Sequence, residues 1–172
     1  MNKKSVIKEV MDWILVLVIA AFIAIVINNF VIVNCVVPSA SMEQTIMTGD
    51  RAIGFRLAYL MDDPERGDIV IFKYPDDENV LYIKRVIGMP GDTVELKDGI
   101  LYINGEAYSE DYLGSIDMNS YGPYKVPDDS YLMLGDNRAN SKDSRFWNHT
   151  YVSRDKIVGK ALFKYWPSFT KL

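Results

Sequence analysis

Residues 68–92 read DIVIFKYPDDENVLYIKRVIGMPGD. Two β-branched and aromatic runs, Asp68–Tyr74 and Val80–Ile87, flank a short polar connection. Runs of this kind read as strands. In the second run, alternation places Val80, Tyr82, Lys84 and Val86 on one face and Leu81, Ile83, Arg85 and Ile87 on the other. Both faces are mainly apolar, so both are expected to be covered. Four further runs follow, at Thr93–Leu96, Ile100–Ile103, Ser130–Leu134 and Ile157–Tyr165. Gly-Asp pairs at 49–50, 67–68, 91–92 and 135–136 punctuate the chain, and Asp98-Gly99 and Asn104-Gly105 carry the hairpin signature. The pattern predicts a mainly β architecture, a barrel or sandwich. Residues 93–124 read as a hairpin-containing insertion, with 108–124 lacking clear periodicity. Arg56–Met61 reads as a short helix or a loop lying on the membrane.

The chain has 172 residues, 49% apolar and 24% charged, which is room for one domain with a core. Net charge is −4 with no basic block, which argues against a nucleic-acid binder. Cys35 is the one cysteine and His149 the one histidine. Neither a disulfide framework nor a Cys/His metal cluster can be built from them. The apolar residues are unevenly spread: Trp13–Val33 holds 19 apolar residues in 21. A helix of that length spans roughly 31 Å, the hydrocarbon thickness of a bilayer. The run is longer than the apolar part of a cleaved signal peptide, so it reads as a permanent anchor, although Ser39-Ala40-Ser41 resembles a cleavage site. Lys3, Lys4 and Lys8 before it predict a cytoplasmic tail at 1–12. The anchor is then 13–33, and 34–172 is an extracytoplasmic domain.

Three segments could carry chemistry. Ser41, in Pro38-Ser39-Ala40-Ser41-Met42, lies eight residues past Val33, so even a fully extended chain holds it within about 28 Å of the anchor. Lys84 has two readings. An edge-strand lysine keeps its head in water, whereas a covered one loses hydration, its pKa falls, and the neutral amine can act as a general base. Gly135–Arg145 packs five charges and four hydroxyl or amide side chains into eleven residues. Such a run is a solvated loop or an ion-paired support for a site. His149 has no serine in nucleophile-elbow context to serve, and Ser153-Arg154-Asp155-Lys156 lacks the companion motifs of penicillin-binding enzymes.

Taken in order, the anchor, PSASM at 38–42, YIKRVIGMPGD at 82–92 and GDNR, NS and DSR at 135–145 resemble the bacterial type I signal peptidases, in their short Gram-positive form. The resemblance covers essentially the whole chain. It implies a signal-peptidase-like, LexA-like β-barrel-type catalytic domain behind a single amino-terminal transmembrane helix. It also implies a serine endopeptidase with a Ser-Lys dyad, no cofactor and no metal, acting at the bilayer on secreted precursors that carry signal peptides. By the same resemblance Ser41 is the nucleophile, Lys84 the general base, and Ser39 with the Ser41 backbone forms the oxyanion hole. Ser141 orients the lysine, and Arg85, Asp136, Asp143 and Arg145 support the site. Three positions depart from the family: Ala40 stands for glycine, Gln44 for proline and Ala139 for an acid. If Ala40 must take a positive φ, the loop is strained, and loss of proline at Gln44 loosens it. These departures raise the alternative of a divergent homologue serving few precursors or acting as a scaffold. A soluble self-cleaving repressor relative is disfavoured by the anchor.

Overall fold

The computed structural model describes residues 3–172, with side chains from Ile7 onward. Met1 and Asn2 of the expected tail, and the side chains of Lys3 and Lys4 that bear on its orientation, lie outside the described residues. Helix α1 runs over Lys3–Val26 and continues as one wider π turn, Ile27–Val31. It therefore starts well before Trp13 and stops before Val33. Asn29 turns its amide back onto the Ile25 carbonyl at 2.8 Å. Beyond it the β-branched run Ile32–Val36 becomes strand β1. Ile7–Val31 is long and apolar enough to cross a membrane, and none of that window is buried within the molecule.

The remainder is β. Strands β2 (Arg51–Phe55), β3 (Ile69–Tyr74) and β4 (Asp77–Gly88) come first. Then follow β5 (Thr93–Lys97), β6 (Ile100–Ile103), β7 (Glu106–Tyr108) and β8 (Tyr121–Lys125). The last are β9 (Ser130–Leu134), β10 (Val152–Ser153), β11 (Ile157–Trp166) and β12 (Thr170–Lys171). The main sheet is ordered β1-β2-β11-β3-β4-β9-β10, with β12 on β11, and its described pairings are antiparallel. The insertion forms a second sheet, β7-β6-β5-β8. Its two hairpin turns, Asp98-Gly99 and Asn104-Gly105, have positive φ at both central residues, as the I′ geometry requires. Arg56–Tyr59 is a 3₁₀ turn.

Strand β8 lies in the stretch that shows no periodicity in sequence. Gly122 and Pro123 sit in its middle, and proline is tolerated there because β8 is an edge strand. Strand β1 is masked in sequence because it continues the apolar run of the anchor.

Alternation along β4 and β9 builds two cores. Val86, Tyr131 and Met133 face one cluster with Val70, Phe72, Tyr74, Trp147 and Val152. Ile87, Leu132 and Leu134 face another with Val94, Leu96, Leu101, Ile103 and Val126, under the second sheet. A third cluster gathers Val37, Met42, Ile46, Ile69 and Ala161 behind the Ser41 turn. Each large side chain so buried stabilises the fold by roughly 1.5–3 kcal/mol. Gly88 ends β4 where it packs against β9 and against β5 of the second sheet. A Cβ there would stand 2.8 Å from Leu132 Cβ and Val126 Cγ2 and 2.9 Å from Val94 Cγ2. Gly88→Ala is expected to destabilise the domain by about 1–3 kcal/mol through overpacking. Urea unfolding checks this, and an unchanged midpoint contradicts the packing described.

Candidate active site

Ser41 sits in a 3₁₀ turn, Ala40–Met42, entered from the extended Ser39. The turn is held from behind. Met42 and Ile46 are fully buried, and the Ile46 N–H donates to the Met42 carbonyl at 2.8 Å. On the approach, the Val37 N–H donates to the Asp50 carbonyl at 2.9 Å and the Gly49 N–H to the Val37 carbonyl at 2.8 Å.

Lys84 settles between its two readings. Strand β4 is paired on both sides, by β3 and β9, and Lys84 is only 3% exposed. Its Nζ lies 2.5 Å from Ser41 Oγ and 3.2 Å from the Ile83 carbonyl. Burial lowers its pKa to about 8, against the opposing pull of the Asp143 and Asp136 carboxylates. Ser39 Oγ stands 3.3 Å from Ser41 Oγ. These groups open on a cavity of about 330 Å³. Residues 35–41 form one wall and residues 80–84 another, with Asn140 and Lys142 at one side.

The loop after β9 supplies the support. Asp136 is fully buried and grips Arg85 in a fork, Oδ1 to Nε at 2.8 Å and Oδ2 to Nη2 at 2.6 Å. Thr45 Oγ1 donates to the same carboxylate at 2.5 Å. Arg85 also donates to the Gly67 carbonyl at 2.7 Å. Asp143 accepts Arg145 Nε at 2.8 Å, Arg145 Nη2 at 2.9 Å and the Gly135 N–H at 3.1 Å. Asn137 ties this loop to the Ser41 turn. Its N–H donates to the Ser41 carbonyl at 3.1 Å and its Nδ2 to the Ala40 carbonyl at 3.0 Å. A Cβ on Gly135 would overlap both the Ser41 carbonyl and Ser141 Oγ, so only glycine fits this approach.

Ser141 is buried beside that point, but its hydroxyl has no hydrogen-bond partner. The expected bond to the lysine amine is not formed, because the amine's bonds run to Ser41 and Ile83. Ala40 is not among the positive-φ residues; Gln44 is, at φ 51°. Proline cannot adopt that angle. Gln44 therefore marks a different local backbone rather than a loosened copy of the same one, and its Nε2 donates to the Gly114 carbonyl at 3.2 Å. His149 lies on the surface, its Nδ1 2.8 Å from Asp76 Oδ1, and is not among the residues lining the groove. Ser153 hydrogen-bonds Asp155 at 2.6 Å, and Lys156 pairs with Glu78 at 2.8 Å.

Thr45 and Asn137 are site residues that the sequence reading does not single out, although both stand inside or beside the quoted motifs. Glu110, Tyr112, Ser115 and Asp117 also reach the site and have no sequence signal.

The family model described as signal peptidase, peptidase S26, matches residues 10–166. The chain belongs to that family. It is 44% identical over 156 residues to a probable signal peptidase I-2 of a Synechocystis species, covering 88% of this chain and 71% of that one. It is 39% identical to the signal peptidase I of Bacillus amyloliquefaciens, covering 96% and 91%. A crystal structure of a signal peptidase I from Enterococcus faecalis V583 superposes with a TM-score of 0.50 at 36% identity, over 58% of this chain and 97% of that one.

Breaking the buried fork isolates a guanidinium. Asp136→Asn is expected to destabilise the protein by about 3–5 kcal/mol, the usual consequence of removing one partner from a buried pair. Denaturant unfolding reads this, and a loss under about 1 kcal/mol would show that the pair is solvated in solution.

Proposed function

We propose that this membrane-anchored serine endopeptidase removes signal peptides from secreted precursors, with Ser41 as nucleophile and uncharged Lys84 as its base. The observation that carries the reading is the 2.5 Å contact between a buried amine and a buried hydroxyl at the end of a groove. The amine takes the Ser41 proton as Oγ bonds to the scissile carbonyl carbon. The carbonyl electrons move to oxygen, and the Ser41 N–H and Ser39 hydroxyl stabilise that oxyanion. In comparable sites one such donor lowers the barrier by about 2.7–4 kcal/mol. The C–N bond then breaks and Lys84 returns its proton to the leaving amine. Lys84 next deprotonates a water as it attacks the acyl ester; the C–O bond to Ser41 breaks, Lys84 returns the proton to Ser41 Oγ, and the new carboxyl group leaves.

The other assignments rest on the same surroundings. Ser141 is assigned to orient the amine by the family resemblance; its buried hydroxyl makes no bond to Lys84 while the amine is held by Ser41 and Ile83. Arg85, Asp136, Asp143 and Arg145 hold the loop that backs the dyad. The substrate docks as an added strand in the groove beside residues 35–41, the usual mode at a sheet edge. The lysine-bearing end of α1 stays in the cytoplasm and residues 34–172 face outward, by the positive-inside rule. A scaffold that cuts nothing has no use for a desolvated amine aimed at a hydroxyl.

Two tests follow from the chemistry. Lys84→Arg keeps a cation that cannot give up its proton, and Ser41→Ala removes the attacking atom. Each is expected to lower kcat on a synthetic precursor by about a thousandfold or more. Near-normal cleavage by either variant contradicts the assignment. The neutral amine is the active form, so activity is present above the Lys84 pKa of about 8 and falls about tenfold for each pH unit below it. A kcat that stays flat from pH 9 to pH 6 contradicts a lysine base.

A further inference from the structure

Residues 110–117 form a loop between β7 and β8 in the insertion. This loop touches Arg85, Asp136, Asn137, Arg138 and Arg145 of the site's support. The Glu110 carboxylate takes both Nη atoms of Arg138, the longer contact at 2.9 Å, and the two side chains are 3% and 2% exposed. It also accepts the Tyr112 hydroxyl at 2.6 Å. The Tyr112 ring lies 3.9 Å from the Arg85 guanidinium carbon, closing the Asp136 fork. The Gly114 N–H donates to the Asp136 carbonyl at 3.1 Å. Asp117 Oδ2 accepts Arg145 Nη1 at 3.0 Å, so Arg145 spans Asp117 and Asp143.

Ser115 is the most direct link. It forms a parallel bridge with Asn137, and its hydroxyl donates to Asn137 Oδ1. With that oxygen occupied, the amide nitrogen of Asn137 points at the Ala40 carbonyl, next to the nucleophile. The same Ser115 Oγ accepts the Ala139 N–H at 3.2 Å, and the Ser115 carbonyl accepts the Arg138 N–H at 3.2 Å.

We propose that Glu110–Asp117 is a strap whose Glu110, Ser115 and Asp117 are positioning residues for the reaction. They clamp loop 135–145 against the Ser41 turn and keep the hydroxyl in line with the amine. This rests on the Ser-Lys reading above. None of the strap residues lines the groove, so the strap acts on the chemical step and not on substrate capture. A loosened loop also admits water to Lys84, and a hydrated amine holds its proton more tightly.

The test uses the full chain in detergent with a synthetic precursor peptide, comparing Ser115→Ala, Glu110→Gln and Asp117→Asn with wild type. Ser115→Ala removes one part-buried hydroxyl and is the variant that preserves folding. The kcat is taken per site labelled by a serine-acylating probe, so unfolded molecules are not counted. The strap predicts that kcat falls by about tenfold or more, as for small misplacements of reacting groups, with KM within about twofold. It also predicts that the acid limb of the pH–rate profile moves to higher pH. If kcat and the acid limb are unchanged while only the unfolding midpoint falls, the loop is mere ballast and the proposal is overturned. If wild type fails to label at Ser41, or Ser41→Ala still cuts, it is the dyad that fails and not the strap.

Discussion

A lysine can sit in the middle of a sheet, paired on both sides, only if it can do without its charge. Transfer of an ammonium into such a place is unfavourable, and the group responds by a fall in pKa that makes its neutral form more available. Lys84 is in that position on β4, and the rest of the molecule is arranged around its consequence. Lys84 is 3% exposed, with its amine 5.5 Å from the centre of the Tyr82 ring. The turn at Ala40–Met42 brings a hydroxyl within 2.5 Å of the amine, whose other polar contact is the Ile83 carbonyl.

Two carboxylates oppose that shift, because Asp143 and Asp136 both favour the ammonium. Each is engaged by a guanidinium, Asp136 by Arg85 and Asp143 by Arg145. Burial outweighs both at Lys84. The two carboxylates also hold the loop's backbone and neighbouring side chains. Asp143 fixes the Gly135 N–H, and Gly135 in turn permits the close approach of the Ser41 carbonyl.

Much of this was legible in the sequence. The period-two runs located six of the strands because they are core strands whose side chains alternate across a buried sheet. Asp98-Gly99 and Asn104-Gly105 announced their turns because few other pairs accept two positive φ values in succession. Local sequence alone left Ser41 in a polar loop and Lys84 between two readings; the resemblance of the quoted motifs to the signal peptidases picked both out. Their contact was not legible, since 43 positions separate them and it needs the Ala40–Met42 turn packed against β4. Strand β1 was hidden in the anchor's apolar run, and β8 behind a glycine and a proline. Glu110, Ser115 and Asp117 carried no signal, because a polar loop reads the same whether it faces water or a neighbouring loop. Gln44 illustrates the limit: its sequence suggested a slackened proline turn, whereas its backbone lies where proline cannot go.

The central claim concerns one proton. Isotope labelling of lysine side chains, with Lys84→Met used to assign the resonance, allows the amine to be titrated by NMR in the intact protein. The account predicts a midpoint near 8 for Lys84, well below that of the exposed lysines. A midpoint with the exposed lysines, near 10.5, would mean that burial does not lower the amine's pKa and that its neutral form is too scarce near neutral pH to serve as the base, and the mechanism built on it would not stand.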